Sequence, residues 1–221
     1  MKKNIYRIFK ENKSLLLFIS LMLVFRSAVA DWNDVPTGSM KPTIVEGDRI
    51  LINKVAYDLK LPFSQYSLIK FADPARNDIV IFESKAADKR LVKRVVGVPG
   101  DIVSLHKNQL SVNQKLAKYK VIAENANFIL SEEHINGTTR LIRTQIEPGQ
   151  SKKYPLESFP PVAIPEGYYL VMGDNRDNSA DSRVIGLVPR NEIIGRSKTV
   201  VLSLNYDNYL IPRSERFLKS I

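Results

Sequence analysis

The sequence predicts a mainly β protein: an antiparallel β-sheet domain with an inserted subdomain, preceded by one N-terminal transmembrane helix. Beyond residue 30, short β-branched segments recur between Gly, Pro, Asn or Asp residues, which is the pattern of strands joined by turns. From about 106 to 163 the chain is more polar, which indicates an insertion. One apolar run at 15–25 follows a basic start and indicates the helix. The 221 residues suffice to bury a core.

The N-terminal segment has the charge pattern of a membrane-directed sequence. Residues 1–13, "MKKNIYRIFKENK", carry five Lys and Arg against one Glu, so this end is expected in the cytoplasm. The apolar run at 15–25 has eleven residues, which as a helix cover about 16 Å of a hydrocarbon core near ~30 Å. That length is typical of the apolar region of a secretory signal peptide.

Three interpretations of this segment stay open from the residues alone. Ala28-Val29-Ala30 has the small-x-small form of a signal-peptide cleavage site. A helix from Leu15 to Ala30 reaches about 24 Å, with Lys13 and Arg26 extending toward water at its ends, so a membrane anchor also fits. A buried helix of a soluble domain is the third interpretation, and the clustered positive charge disfavours it.

The domain beyond residue 30 is predicted to consist of short strands. Turns are expected at "VPGD" (98–101) and "HKNQ" (106–109), so residues 91–112 should form two or three consecutive antiparallel strands. The section 106–163 is expected to be irregular, with loops at "NGTT" and "EPGQSKKYP". The predicted strands are "DRILINK" (48–54), "DIVIFES" (78–84), "RLVKRVVGV" (90–98), "DIVSL" (101–105), "YYLVMG" (168–173) and "RSKTVVLSL" (196–204).

Charge and composition exclude several classes of function. The formal net charge is +10, but the basic residues are spread along the chain without a zinc-finger spacing, an RNP1-like run or an arginine-rich block. We therefore expect no nucleic-acid partner, and the basic balance fits an anionic membrane surface. The absence of cysteine excludes disulfides, thiol catalysis and thiolate metal sites.

No metal site or cofactor is expected either. His106 and His134 are widely separated and lack a cluster of further ligands. The acid-rich segment at 173–183, "GDNRDNSADSR", fails as a calcium loop. Counted from Asp174, the sixth and twelfth positions are Ser179 and Ile185, where Gly and Glu are required. There is no P-loop and no dinucleotide-binding fingerprint.

Ser39 in "PTGSMKPT", residues 36–43, is the candidate nucleophile. The segment resembles a catalytic serine turn but lacks the G-x-S-x-G frame, and neither of the two histidines lies in a convincing site. A lysine can remove the serine proton if burial populates its neutral form. Lowering a lysine pKa from ~10.4 to near 7 requires about 4 to 5 kcal/mol of differential desolvation, which buried lysines reach.

Lys93 fits this requirement best among the lysines. Strand alternation in "RLVKRVVGV" puts Leu91, Lys93 and Val95 on one face, so the amine extends between two aliphatic side chains. The alternative is a solvated face, which is the usual environment of a lysine.

Four segments carry a resemblance to a known family. "PTGSMKPTI" followed by "GDRILINK", then "RLVKRVVGVPGD", then "GDNRDNSADSR" with "IGLVP" after it, are similar in order and setting to bacterial type I signal peptidases, also called leader peptidases. The resemblance covers roughly residues 15–112 and 165–200. It implies a membrane-anchored serine endopeptidase with a Ser/Lys dyad and an antiparallel β-sheet catalytic domain. Such an enzyme removes signal peptides from exported proteins, and Lys93 becomes the expected base.

The same resemblance implies an organisation and a set of partners. Residues 1–13 would be a basic cytoplasmic tail, 14–30 a membrane anchor helix, and 31–221 an extracytoplasmic catalytic domain with the inserted subdomain at about 106–163. The protein would lie in the bacterial cytoplasmic (inner) membrane as a single-pass protein with its N-terminus in the cytoplasm. Its expected partners are the phospholipid membrane and the signal peptides of exported preproteins, cleaved after small residues at −1 and −3.

Roles for individual residues are implied in the same way. Ser39 would attack the scissile carbonyl, and its backbone N–H and the hydroxyl of Thr37 would hold the oxyanion. Ser179 resembles the hydroxyl that orients the lysine amine. Asn175, Arg176 and Asn178 are interpreted as turn formers. The expected supporting residues are Met40 near the substrate cleft and the charged residues Arg94, Asp174, Asp181 and Arg183.

Two further classes of function remain as alternatives. Self-cleaving repressors are also Ser/Lys proteases, but they carry a helix-turn-helix domain where this chain has its apolar segment. A secreted, non-catalytic β module is the other alternative, in which "AVA" at 28–30 is cleaved and Ser39 is an ordinary turn serine.

Overall fold

The computed structural model describes residues 12–64, 66–146 and 157–221. The described chain is mainly β with antiparallel pairing, as the sequence predicts, and its two α-helices are α1 (Lys13–Ala28) and α2 (Ser182–Ile185). The first nine strands are β1 (Ala30–Asp34), β2 (Asp48–Asn53), β3 (Asp58–Lys60), β4 (Ser67–Lys70), β5 (Ile79–Ser84), β6 (Lys89–Gly97), β7 (Ile102–His106), β8 (Gln109–Val112) and β9 (Lys115–Leu116). The others are β10 (Lys118–Glu124), β11 (Phe128–Ile135), β12 (Thr138–Gln145), β13 (Phe159–Ala163), β14 (Tyr168–Met172), β15 (Val188–Pro189), β16 (Ile193–Asn205), β17 (Ile211–Pro212) and β18 (Lys219–Ser220).

One large sheet contains most of the strands that the sequence predicts. Its order is β1-β2-β16-β5-β6-β14-β15, with β17 and β18 added beside β16. The strands of this sheet are β-branched runs without polar alternation, because both faces of the sheet are covered over much of the strands' length. In β5, for example, Ile79 to Phe82 are all buried.

Two of the three apolar clusters that pack against this sheet meet near Lys93 on β6. Leu91 and Val95 both belong to one of them, which agrees with the shared face predicted from strand alternation, and Val92 packs against the other. The cluster that includes Val92 also contains Val35, Met40, Ile44, Ile50, Ile52, Ile79, Ile81, Ile194 and Val200. This second cluster lies beneath the segment that carries Ser39, so the serine turn rests on a packed core.

The turn predictions are confirmed, whereas the pairing predicted for 91–112 is only partly right. The Asp101 N–H donates to the Val98 carbonyl in "VPGD", and β7 and β8 form a hairpin with positive φ at Lys107 and Asn108. Strand β6, however, pairs with β5 and β14, and β7 lies in a different sheet. Local turn signals do not reveal this change of sheet, because they fix only the direction of the chain.

The described parts of the section 106–163, residues 106–146 and 157–163, are regular, which corrects the expectation of irregular structure there. The loop predicted at "EPGQSKKYP" (147–155) lies outside the described residues. Strands β10, β11 and β12 form a three-stranded antiparallel sheet, and β13 pairs with β7 in a second small sheet. All seven residues of β10 are exposed. A strand without a buried face has no apolar alternation, so the sequence gives no periodic signal for it.

Helix α1 covers most of the segment predicted as a helix over 14–30, but it ends at Ala28, and Ala30 instead begins β1. Residues 1–11 of the predicted basic tail at 1–13 lie outside the described residues. The apolar side chains from Leu15 to Phe25 are exposed. Within the part of the chain that the structure describes, no helix has the length and apolar character needed to cross a membrane.

Candidate active site

Ser39 is the middle residue of a 3-10 turn, Gly38–Met40, that follows β1. The side chain of Met40 is buried in the core beneath the turn. Asn175 holds the turn from the other side: its Nδ2 donates to the Gly38 carbonyl at 2.9 Å and its N–H donates to the Ser39 carbonyl at 3.1 Å. The first amides of a helical turn have no acceptor within the turn, so the Ser39 N–H is free to donate to a ligand.

The side chain of Lys93, on β6, ends at the serine hydroxyl. Its Nζ donates to Ser39 Oγ at 2.8 Å and to the Val92 carbonyl at 3.0 Å. Lys93 is only 3% exposed. This burial lowers the pKa of Lys93 to about 8, because it outweighs the attraction of Asp181, which acts to raise the pKa. Near pH 8 much of the amine is therefore neutral and able to accept a proton.

Asp181 is a buried carboxylate close to the lysine. Arg183 donates to it from Nε at 2.8 Å and from Nη2 at 2.7 Å, and the Gly173 N–H donates to it at 2.9 Å. Burial acts to raise the pKa of Asp181, but the bonds from Arg183 outweigh it and hold the pKa below its ordinary value. Asp181 is therefore a charged, fixed group near Lys93, and Arg183 offsets part of its attraction for the lysine.

Arg94 and Asp174 form a second buried ion pair next to the site. Arg94 donates from Nε at 2.8 Å and from Nη2 at 2.6 Å to the two oxygens of Asp174, and Thr43 Oγ1 donates to the same carboxylate at 2.5 Å. Because Asp174 follows β14 by two residues while Arg94 lies on the neighbouring strand β6, the pair joins the motif at 173–183 to the lysine strand. A bidentate pair of this kind fixes geometry in two directions.

A groove of about 280 Å³ passes Ser39 and Lys93 and is lined by residues 33–40, 89–93, Asn178 and Ala180. Thr37 is exposed at this groove, and its side chain makes no capping hydrogen bond to the turn that follows. The Thr37 hydroxyl therefore does not cap the serine turn. Met40, expected near the substrate cleft, lines the groove and is at the same time part of the core.

Ser179 lies at the site but does not bond to the lysine. Among the described residues, the partners of the Lys93 amine are Ser39 and Val92, and Ser179 is not one of them. A Cβ on Gly173 would lie 2.3 Å from Ser179 Oγ and 2.4 Å from the Ser39 carbonyl oxygen. Glycine at 173 is thus what lets the Ser179 loop and the serine turn approach each other. The lysine-orienting role of Ser179 stays a prediction.

The two histidines lie away from this site. His134 is an exposed residue of β11 whose Nδ1 is 2.6 Å from Thr139 Oγ1, and His106 is exposed at the end of β7. Neither lines the groove at Ser39.

For two residues of the 173–183 motif, the sequence predicts turn formation but not the contacts with distant residues that the structure shows. Asn175 was predicted to form a turn, yet it binds both carbonyls of the serine turn. Arg176, also predicted as a turn former, is fully buried and donates to both oxygens of Glu133 at 2.7 and 2.6 Å. Both partners are distant in sequence, so no local pattern predicts these contacts. The high density of Asn, Asp and Arg in the motif is the one sequence feature that indicates them.

A serine hydroxyl bonded to a buried, partly neutral lysine amine, on a scaffold of antiparallel strands, defines the class of serine hydrolases that use lysine in place of histidine. Comparison with known proteins narrows this class. The chain matches the family described as signal peptidase, peptidase S26, over residues 8–202. It belongs to that family, and it is therefore a serine endopeptidase that removes signal peptides.

Two named relatives agree with this assignment. The chain is 36% identical to signal peptidase I of Pseudomonas aeruginosa over 207 residues, covering 86% of this chain and 71% of that protein. It is 30% identical to signal peptidase I of Aquifex aeolicus over 227 residues, covering 88% of this chain and 84% of that one. A crystal structure of a signal peptidase I from Enterococcus faecalis, 24% identical, matches 57% of this chain and 98% of that chain with a TM-score of 0.36.

Proposed function

We propose that Ser39 and Lys93 are the catalytic dyad of this endopeptidase. The observation that carries the proposal is the 2.8 Å contact between Lys93 Nζ and Ser39 Oγ inside a site where the lysine is 3% exposed. A buried amine with a pKa of about 8 has the two properties of a general base at neutral to alkaline pH: a reachable neutral form and a short path to the proton.

The proposed reaction divides into acylation and deacylation. Neutral Lys93 accepts the Ser39 Oγ proton as the oxygen attacks the scissile carbonyl carbon, and the carbonyl oxygen becomes an oxyanion. The Lys93 ammonium then gives that proton to the leaving amine, which departs as the mature protein and leaves the signal peptide as an ester on Ser39. Water attacks this ester with Lys93 again as the base, and Ser39 recovers its proton when the signal peptide leaves.

The oxyanion is held by two donors at the serine turn. The Ser39 N–H comes from the first turn of a helix, and Thr37 supplies a hydroxyl that no local capping bond occupies. Donors fixed in advance by a folded turn stabilise the developing charge without reorganisation, and removing one such donor costs about 10²- to 10³-fold in kcat in other serine proteases. Asn175 maintains this arrangement by holding both carbonyls of the turn.

The substrate lies extended in the groove. An extended peptide presents alternate side chains to the same surface, so the residues at −1 and −3 face the protein together. The groove is small, about 280 Å³ for the whole described length, and the buried Met40 and Val35 limit its depth. Small side chains such as Ala are therefore preferred at −1 and −3.

The N-terminal segment stays attached and holds the enzyme at the membrane. Ala28 is buried, and Ala30 already belongs to β1, where it pairs with Asn53 of β2. Lys54 fixes the junction further, since its Nζ donates to the Arg26 carbonyl at 2.8 Å. Cleavage after Ala30 would have to cut within a paired strand, which folded proteins resist. These contacts favour an anchor over a cleaved signal peptide.

The proposed topology follows from the same segment. The basic tail at 1–13 stays in the cytoplasm, the exposed apolar residues of 14–30 enter the phospholipid of the bacterial cytoplasmic membrane, and the domain from residue 31 lies on the extracytoplasmic side. This position brings the groove close to the membrane-bound signal peptides on which it acts.

The test is cleavage of a preprotein with an Ala-x-Ala site by detergent-solubilised protein. We expect the wild-type protein to release the signal peptide and Ser39→Ala to be inactive with an unchanged circular dichroism spectrum. Ser104→Ala, a matched change on the distant strand β7, should leave the rate as it is. Cleavage by Ser39→Ala at the wild-type rate would remove Ser39 as the nucleophile.

A further inference from the structure

The motif at 173–183 has a second face that points away from the dyad. Asp174 and Asn175 bind the lysine strand and the serine turn, as described above. The next two residues, Arg176 and Asp177, instead contact the inserted section. Asp177 accepts from the Gln145 N–H at 2.8 Å, and Arg176 donates to Glu133. One short loop therefore connects the nucleophile to the insertion.

The contact with the insertion is also made through the backbone. The Arg143 N–H donates to the Asp174 carbonyl at 2.8 Å, and the Arg176 N–H donates to the Arg143 carbonyl at 2.9 Å. Arg143 lies on β12, and it bridges to Asn175 in parallel orientation. The residue that holds the serine turn is thus itself held on both sides by the edge of the inserted sheet.

Glu133 is the centre of this connection. It lies on β11 directly between Tyr119 of β10 and Arg140 of β12, so the three residues form one row across the sheet. Tyr119 Oη donates to Glu133 Oε1 at 2.8 Å and Arg140 Nε donates to Oε2 at 2.5 Å, while Arg176 donates to both oxygens. Every oxygen of this fully buried carboxylate is used, and each partner comes from a different segment.

The charges of Glu133, Arg140 and Arg176 strongly affect one another's pKa values. Burial acts to raise the pKa of Glu133, but Arg176 and Arg140 outweigh it and hold the pKa at about 2. Arg176 is completely buried, and its pKa lies above the ordinary value because Glu133 more than offsets its burial. A buried ion pair contributes little net stability compared with apolar packing of the same volume, but it holds its partners in one geometry.

We propose that the inserted three-stranded sheet positions the nucleophile, with Glu133 as its positioning residue. Through Arg176, Glu133 fixes the loop whose Asn175 sets the orientation of the turn that carries Ser39. The inference rests on the proposed function, since it assigns to the insertion a role in the Ser39 reaction. It also explains why a loop next to the dyad contains a fully buried arginine that contacts neither dyad member.

The test is a steady-state comparison of Glu133→Gln with Glu132→Gln in the preprotein assay. Glu132 is the preceding residue of β11 and points to the opposite side of the sheet, so the control makes the same chemical change outside the connection. A nucleophile displaced by a fraction of an ångström loses rate far more than affinity. We expect kcat of Glu133→Gln to fall about tenfold or more, with KM and the pH midpoint of the acid limb unchanged. Glu132→Gln should match the wild type.

Loss of Glu133 leaves the buried Arg140 and Arg176 without their counter-charge, so two further variants cover a failure to fold. Tyr119→Phe removes the bond to Glu133 together with the bonds to the Leu110 N–H and the Asn108 carbonyl, and should lower kcat about threefold with a lower thermal midpoint. The triple variant Glu133→Met, Arg140→Met, Arg176→Met removes all three charges, should remain folded, and should still show kcat about tenfold below the wild type.

The outcomes distinguish a failure of the positioning role of Glu133 from a failure of the proposed function. Wild-type kcat in a folded Glu133→Gln, or in the folded triple variant if the single variant does not fold, overturns the positioning role while Ser39→Ala remains inactive. Absence of cleavage by the wild-type protein itself, or activity of Ser39→Ala, would instead overturn the proposed function.

Discussion

Lys93→Met should abolish cleavage and at the same time change how stability depends on pH. The folded protein holds the pKa of Lys93 at about 8, against the ordinary value of 10.5 for a lysine in the unfolded chain. Between these two values the unfolded chain binds more protons than the folded one, so the wild-type protein gains stability as pH rises through this window. Below pH 8 the cost of burying Lys93 is fully present.

The size of this effect follows from the same two pKa values. The difference of about 2.5 between about 8 and 10.5, at about 1.4 kcal/mol each, makes burial of Lys93 cost about 3 kcal/mol at pH 7. Methionine does not titrate, so the variant lacks this cost at every pH. It also lacks the bonds to Ser39 and to the Val92 carbonyl, which contribute about 1 kcal/mol each at any pH. Between pH 7 and pH 10, the unfolding free energy of the wild type should therefore rise by about 2 to 3 kcal/mol relative to that of Lys93→Met.

The assay is urea unfolding of the detergent-solubilised wild type and Lys93→Met at pH 7, 8, 9 and 10. Other groups titrate in both proteins and cancel in the difference. Lys120→Met, a change at an exposed lysine on β10 that does not line the groove at Ser39, is the matched control and should give a difference that stays flat with pH. Parallel curves for the wild type and Lys93→Met would refute the reasoning, because Lys93 would then keep its ordinary pKa on folding.

Three more predictions concern the oxyanion, the substrate and the anchor. Thr37→Val should lower kcat by about 10²-fold with little change in KM, whereas Thr37→Ser should retain most of the activity; equal rates for both variants would contradict the donor role. Replacing Ala by Phe or Lys at −1 of the preprotein should prevent cleavage, and efficient cutting after Phe would count against the narrow groove. N-terminal sequencing of membrane-extracted protein should find the chain intact through residue 30, and a chain that begins at Asp31 would show that the segment is cleaved.

Part of this structure is readable from the sequence because it depends on local pattern. Five strands of the large sheet are predicted correctly, since β-branched runs bounded by turn residues identify them: β2, β5, β6, β14 and β16. The short strands β15, β17 and β18 and the strand β1 are not predicted. Leu91 and Val95 illustrate this point, as simple alternation places them on one face with Lys93 between them. The contact between Ser39 and Lys93 was anticipated from chemistry and family resemblance together, since a serine without a usable histidine needs another base.

The remaining features of the fold and site depend on contacts between residues distant in sequence, which local sequence patterns do not predict. Strand β10 lacks a buried face and has no periodicity to detect. Asn175 and Arg176 look like turn residues, but their partners Gly38 and Glu133 are separated from them by 137 and 43 positions along the chain. Such residues are identified only when the fold shows which distant groups they satisfy.

The pH dependence of kcat/KM for the wild type and Lys93→Arg tests the lysine mechanism most directly. Guanidinium stays protonated at any workable pH and can only donate, so the arginine variant cannot act as the base. We expect the acid limb of the wild-type profile to rise with a midpoint near 8, the pKa of Lys93 in the folded protein, and Lys93→Arg to be inactive throughout. An active Lys93→Arg enzyme would contradict the account, because the residue would then contribute charge and some other group would remove the Ser39 proton.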